Sequence, residues 1–167
     1  MSTHRLLAVA VSAVLSAACF HQDPVVQVSA QDATLNTRWH ANLASPADLA
    51  GIVQMKGSAS MAPSPDSTST NITIALANAS PGGMHPWAVH RGQCGTRTDY
   101  WNGTDDGIFG PSEAYATLEV GSDGLANGVA TVSQQTPKSG EYFVVIYASV
   151  ANADRIVACG NLAPPTQ

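Results

Sequence analysis

The chain has 167 residues, of which 44% are hydrophobic and only 11% charged, and it carries a formal net charge of −5. That length suits one ordinary domain with a short leader. The acidic balance argues against electrostatic binding to nucleic acid or to an anionic membrane surface, and no apolar run beyond the N-terminus is long enough to cross a bilayer. Gly and Pro are frequent, at 14 and 10 residues, beside abundant Ser, Thr, Asn and Val, which favours strands and turns over helices.

Residues 1–18 read as a signal peptide. Arg5 precedes an apolar stretch from Leu6 to Ala18 that is too short for a transmembrane helix and leads directly to Cys19. Cys19 is the candidate lipidation site. A lipobox usually places Leu three residues before the cysteine, where this chain has Ser16, with Leu15 one position further back. Signal cleavage near Cys19 without lipid is therefore the alternative. The expected location is the bacterial cell envelope, as a lipoprotein or otherwise as a periplasmic or secreted protein. Membrane contact would come only through a lipid on Cys19. The three cysteines are Cys19, Cys94 and Cys159. Once Cys19 leaves or carries lipid, an even pair remains, which in an exported domain implies a disulfide; two buried free thiols are the alternative.

Residues 19–48 read as a tether and first-strand region, with a strand around Val25–Val28 and with Trp39 and Leu43 anchoring the segment to the core. Strand-like runs then recur between turn signals. Ile52–Met61 is the first, broken by Pro63-Ser64-Pro65-Asp66-Ser67. Thr70–Ala77 alternates, with Ile72, Ile74 and Leu76 on one face. Ser80-Pro81-Gly82-Gly83 turns the chain into His85–Arg91, and a Gly- and Asp-rich loop follows from Gly92 to Pro111. Ala114–Val120, Gly128–Val132, Glu141–Ser149 and Arg155–Leu162 complete the set, with turns at Ser122-Asp123-Gly124 and Pro137-Lys138-Ser139-Gly140. About eight strands and no convincing amphipathic helix predict an all-β antiparallel sandwich or flattened barrel over residues 49–162, with 163–167 as a tail.

Two segments carry a resemblance. The first is Gly83-Met84-His85-Pro86-Trp87-Ala88-Val89-His90-Arg91-Gly92-Gln93-Cys94-Gly95, and the second is Arg155-Ile156-Val157-Ala158-Cys159-Gly160-Asn161-Leu162. Together they resemble the copper/zinc superoxide dismutase family and its divergent relatives. The resemblance implies an immunoglobulin-like, eight-stranded Greek-key β-sandwich and a Cys94–Cys159 disulfide, in agreement with the cysteine parity. It also implies loss of most metal ligands. The family's two copper histidines on the first strand match Ala88 and His90, and its copper histidine on the penultimate strand matches Tyr147. Between Gly92 and Gln167 the chain has no histidine, so the zinc set and the bridging histidine are missing. The family's active-site Arg matches Ile156. Arg155 is one step away, on the opposite strand face unless a bulge intervenes.

His90 is thus the candidate metal residue, with His85 the weaker second. One imidazole does not hold a redox copper, and helpers would have to come from His85, His40, His21, Tyr147 or a carboxylate. His85 matches the family's structural histidine and is expected to bond backbone at a strand end. Asp99, Asp105 and Asp106 offer oxygen ligands for calcium but lack a regular spacing, and ordinary turn residues explain them. Trp87, Tyr100, Trp101 and Phe109 are read as plugging the barrel end, against the alternative of an exposed platform. Three glycosylation sequons, at Asn71, Asn78 and Asn102, are read as coincidence in a bacterial chain.

The leading expectation is a non-catalytic binding or structural envelope protein with an unidentified envelope partner and no cofactor. The alternatives are a copper-binding, superoxide dismutase-like oxidoreductase with a site around His90, and an extracellular carbohydrate- or protein-binding module using the Gly92–Pro111 loop.

Overall fold

The computed structural model describes residues 38–49, 51–52, 54–95 and 103–165. The expected signal peptide, Cys19, the strand at Val25–Val28, His21, Asp99, Tyr100 and Trp101 lie outside the described residues.

The described chain is all-β. Its strands are β1 (Trp39–Ala44), β2 (Lys56–Pro63), β3 (Thr70–Ala77), β4 (Met84–His85), β5 (Trp87–Gln93), β6 (Thr104–Ile108), β7 (Leu118–Glu119), β8 (Ala126–Val132), β9 (Tyr142–Ser149) and β10 (Asn152–Leu162). Eight form one curled antiparallel sheet, a half-barrel in the order β6-β5-β9-β10-β1-β2-β3-β8, while β4 and β7 form a separate two-stranded ribbon. The first and last strands are neighbours, with Ala44 across from Cys159.

Alternation explains most of these elements. On β3, Ile72, Ile74 and Leu76 are buried, as their spacing predicts, and on β8 Ala130 and Val132 point in while Val129 and Thr131 point out. The concave side gathers Trp39, Met61, Trp87, Val89, Phe109, Leu118, Val144, Ile146 and Leu162 into the main core. Buried Trp side chains need a partner for their one donor. The Trp39 Nε1–H reaches the Pro137 carbonyl at 2.9 Å and the Trp87 Nε1–H reaches the Ala116 carbonyl at 2.8 Å. Trp87 and Phe109 are therefore interior residues and contribute to no exposed platform.

Several expected boundaries move. Ile52 is exposed in a turn, and the first post-tether strand is Lys56–Pro63, not Ile52–Met61. His85–Arg91 is not continuous: Pro86 has no N–H to donate, and the chain changes partner there, β4 pairing with β7 and β5 with β9. Ala114–Val120 is not a strand either. Ser112–Ala114 is a 3-10 turn and only Leu118–Glu119 is extended. The residue that packs inward is Tyr115, whose hydroxyl donates to the Phe109 carbonyl at 2.6 Å, whereas Ala116 is exposed. The loop expected from Gly92 to Pro111 contains β6.

At β5, β9 and β10 the sheet is buried on both faces. Val144, Ile146 and Ala158 join the main core, while their alternates Phe143, Val145 and Cys159 form a second cluster with Cys94, Tyr147 and Ile156. The Cys94–Cys159 disulfide ties the end of β5 to β10 across a sequence separation of 65. The Asn161 side-chain oxygen accepts from the Cys94 backbone N–H at 2.7 Å beside it.

A loop of 65 residues gives a closure contribution of about 4 kcal/mol from the unfolded chain. Cys94→Ala combined with Cys159→Ala is therefore expected to lower the unfolding free energy by a few kcal/mol, read from urea midpoints under oxidising conditions. An unchanged midpoint would contradict a stabilising role for the bridge.

Candidate functional site

The second, smaller cluster carries the polar side chains of interest. In an antiparallel pair, residues directly across from each other lie on the same face. Ala88 pairs with Val145 and His90 with Phe143, so these positions share a face of the sheet, although Ala88 still packs with the main core. Tyr147 follows two residues after Val145 on that side. The register sets His90 and Tyr147 on one face, and the Tyr147 side chain reaches along that face to the imidazole.

His90 is buried, at 5% exposure, and both ring nitrogens are engaged. Its Nδ1 lies 2.9 Å from Asp105 Oδ1. A carboxylate oxygen only accepts, so Nδ1 carries the hydrogen. Nε2 then accepts from the Tyr147 hydroxyl, 3.1 Å away. The Phe143 ring lies against the imidazole with centroids 5.4 Å apart, and Tyr147 meets it edge-on at 6.4 Å. The outcome is a linear array, Asp105–His90–Tyr147, bedded on aliphatic and aromatic side chains.

Asp105 reaches His90 through an irregularity in β6. His90 pairs with Ile108 and Gly92 with Asp105, so β6 has one residue more than β5 over this interval. Such a bulge re-aims a side chain. Gly107 lies within it at φ 98, a conformation that favours glycine, and its N–H donates to the same Asp105 oxygen at 2.9 Å. On the facing strand, a side chain at Gly92 would collide with the Thr104 carbonyl. Two glycines and one bulge thus fix the carboxylate.

The electrostatics follow from burial. Burial, first, and the Asp105 carboxylate, second, push the Tyr147 hydroxyl up from 10.0 to about 12. The phenol stays protonated and remains a donor. Tyr115 is pushed to about 12 as well, chiefly by its burial.

His85 is also buried, on β4, with Nδ1 2.9 Å from the Tyr147 carbonyl oxygen. Since that oxygen accepts, His85 donates from Nδ1. It bonds backbone at a strand end and shares no hydrogen-bonding atom with His90. Its Nε2 has no hydrogen-bond partner and sits beside Gly83, where a Cβ would come within 2.9 Å of it. Asp106 is exposed on β6. On β10 a bulge does occur, between Ile156 and Ala158, but it is Ile156 that stands opposite Tyr147 and packs into the second cluster, while Arg155 is exposed. Among the described residues, no group of three or more His, Cys, Asp and Glu side chains is placed to hold a metal ion.

The resemblance matches Tyr147 to a site position, and the sequence offers a carboxylate as a helper for His90 without singling out Asp105 for that role. The sequence signal for that partner is weak, because the two are 15 residues apart and meet only through the bulge. No protein-family model matches the chain, and no curated protein matches it.

Tyr147 is expected to titrate well above 10.0, toward about 12, in an ultraviolet titration compared with Tyr147→Phe. Asp105→Asn removes the opposing negative charge and is expected to lower that midpoint by less than unfolding does, since burial is the larger cause. Folding favours the protonated phenol. The stabilisation it contributes is complete below pH about 10 and is lost as pH rises toward about 12. A midpoint at the ordinary tyrosine value would contradict the desolvation of its hydroxyl.

Proposed function

We propose that the chain is an exported, superoxide dismutase-like Greek-key domain of the bacterial cell envelope that has exchanged the family's copper site for a closed hydrogen-bonded array, and that it acts as a non-catalytic binding or structural protein. The observation that carries this reading is the saturation of His90: Nδ1 is held by Asp105 and Nε2 by Tyr147.

The fold lends support. An all-β antiparallel arrangement places the first strand beside the last, β5 beside β9, and a disulfide between the segment after β5 and β10. Of these features, the all-β class and the disulfide are ones that the resemblance implies. The leader supports export, and lipid on Cys19 would supply the anchor.

The donor set does not fit copper. A copper that cycles between two oxidation states needs several imidazoles. Ala88 offers no donor, Tyr147 is a phenol held in its protonated form, and His85 spends its Nδ1 hydrogen on backbone. For a metal to take Nε2 of His90, the Tyr147 hydroxyl would have to leave it. Ile156, apolar, stands where the family places the arginine that guides its anion. The apolar interior positions of Trp87 and Phe109 leave the carbohydrate-binding alternative without those two rings.

The full chain, exported from copper- and zinc-supplemented cells and purified without chelator or histidine tag, is expected to hold both metals at background level by elemental analysis, with no change in His90→Ala. Near-stoichiometric copper that disappears in His90→Ala would overturn the proposal.

A further inference from the structure

Two tyrosines donate their hydroxyls inside this fold, and they differ in what accepts. Tyr115 donates to the Phe109 carbonyl at 2.6 Å. A carbonyl oxygen holds that hydrogen bond but does not take the proton. Tyr147 meets Nε2 of His90 at 3.1 Å, and an imidazole nitrogen at that distance is a base within proton-transfer reach. The far nitrogen of the same ring faces Asp105 at 2.9 Å, and the Gly107 N–H pins that carboxylate in place. An imidazolium formed at His90 would therefore sit against a fixed negative charge.

Removing an electron from a phenol makes its O–H far more acidic, so the oxidation is easy only where the proton leaves in the same step. We infer that Tyr147 is a one-electron oxidation site: an oxidising radical takes an electron from its ring while the O–H proton passes to Nε2 of His90, and Asp105 holds the imidazolium that results. The step balances. The oxidant, an oxygen-centred radical of the peroxyl type, becomes its anion. Tyr147 becomes a neutral phenoxyl radical, and His90 gains one proton. A thiolate, oxidised in turn to a thiyl radical, returns the electron, and His90 returns the proton to the phenol.

Tyr147 is only partly buried, so a small radical or reductant approaches its ring from solvent, whereas Tyr115 is buried at 8% exposure. Its raised hydroxyl keeps the proton available at neutral pH, so that electron and proton leave together. Tyr115 shares the raised hydroxyl but has only a carbonyl to donate to, so it serves as an internal control within the same molecule.

This inference rests on the metal-free reading of His90, so elemental analysis of the same sample comes first. Stoichiometric copper there would defeat that reading before any oxidation is attempted. The metal-checked full chain is then oxidised with azide radicals generated by pulse radiolysis, and the phenoxyl radical is followed by transient absorption and by electron paramagnetic resonance of freeze-quenched samples. With Tyr100 and Tyr142, the other two of the chain's four tyrosines, changed to Phe throughout, the phenoxyl signal is expected to vanish in Tyr147→Phe and to persist in Tyr115→Phe. In His90→Gln, which keeps an acceptor but removes the base, its formation is expected to slow on the order of a hundredfold, the lower range for a positioned proton acceptor. Asp105→Asn, which leaves the base in place, is expected to slow it less, and the solvent deuterium isotope effect of wild type and Tyr115→Phe is expected to be lost in His90→Gln. Circular dichroism of each variant establishes that it is folded. A phenoxyl signal that survives Tyr147→Phe, or wild-type kinetics in folded His90→Gln and Asp105→Asn, would overturn the inference.

Discussion

The register of β5 against β9 is the constraint on which the rest depends. Trp87 lies across from Ile146 and Arg91 across from Tyr142. That pairing sends Trp87 and Val89 into the main core and turns His90 toward Phe143 and Tyr147. Because side chains alternate strictly, a slip by one residue would drive His90 into the main apolar core and Val89 to the other face. Both faces are apolar at this point, so the register is held from two sides at once: by the main core under Val144 and Ile146, and by the smaller cluster of Phe143, Val145 and Cys159. The disulfide fastens the end of β5 to β10 over that cluster.

The polar array is a consequence of this arrangement. Once His90 is buried, its two nitrogens need partners, since an unpaired buried polar atom costs about 1–3 kcal/mol. Tyr147 is supplied by register and Asp105 by the β6 bulge. Each partner then shapes the others. Asp105 sets which nitrogen of His90 donates, His90 receives the phenol, and burial keeps that phenol protonated. The same contacts underlie both the proposed loss of copper chemistry and the inferred oxidation of Tyr147.

Much of the fold was legible because half-buried strands write their period into the sequence. β3 is the clearest case, every other residue from Ile72 to Leu76 being buried. β9 was legible from its apolar run, and the Cys94–Cys159 bridge from cysteine parity together with the two motifs. Other elements carry no such mark. β6 reads Thr-Asp-Asp-Gly-Ile and, apart from Ile108, is exposed. Its extension comes from pairing with β5 and not from propensity, so composition alone suggests a loop. In Ala114–Val120 the alternating alanines imitated a strand, whereas the large residue between them, Tyr115, supplies the packing. The site was legible only by half. The resemblance matches His90 and Tyr147 to one site, but the bulge that delivers Asp105 is a tertiary feature, and so is the bulge on β10 that sets Ile156 opposite Tyr147.

The most direct test of this account is the tautomer of His90. Two-bond nitrogen–proton correlation spectra of the nitrogen-15-labelled chain at neutral pH resolve which ring nitrogen bears the hydrogen. The account requires it on Nδ1, with slowed exchange that is lost in Asp105→Asn, and with Nε2 as an acceptor whose shift changes in Tyr147→Phe. A His90 ring carrying its hydrogen on Nε2, or one indifferent to both substitutions, would contradict it.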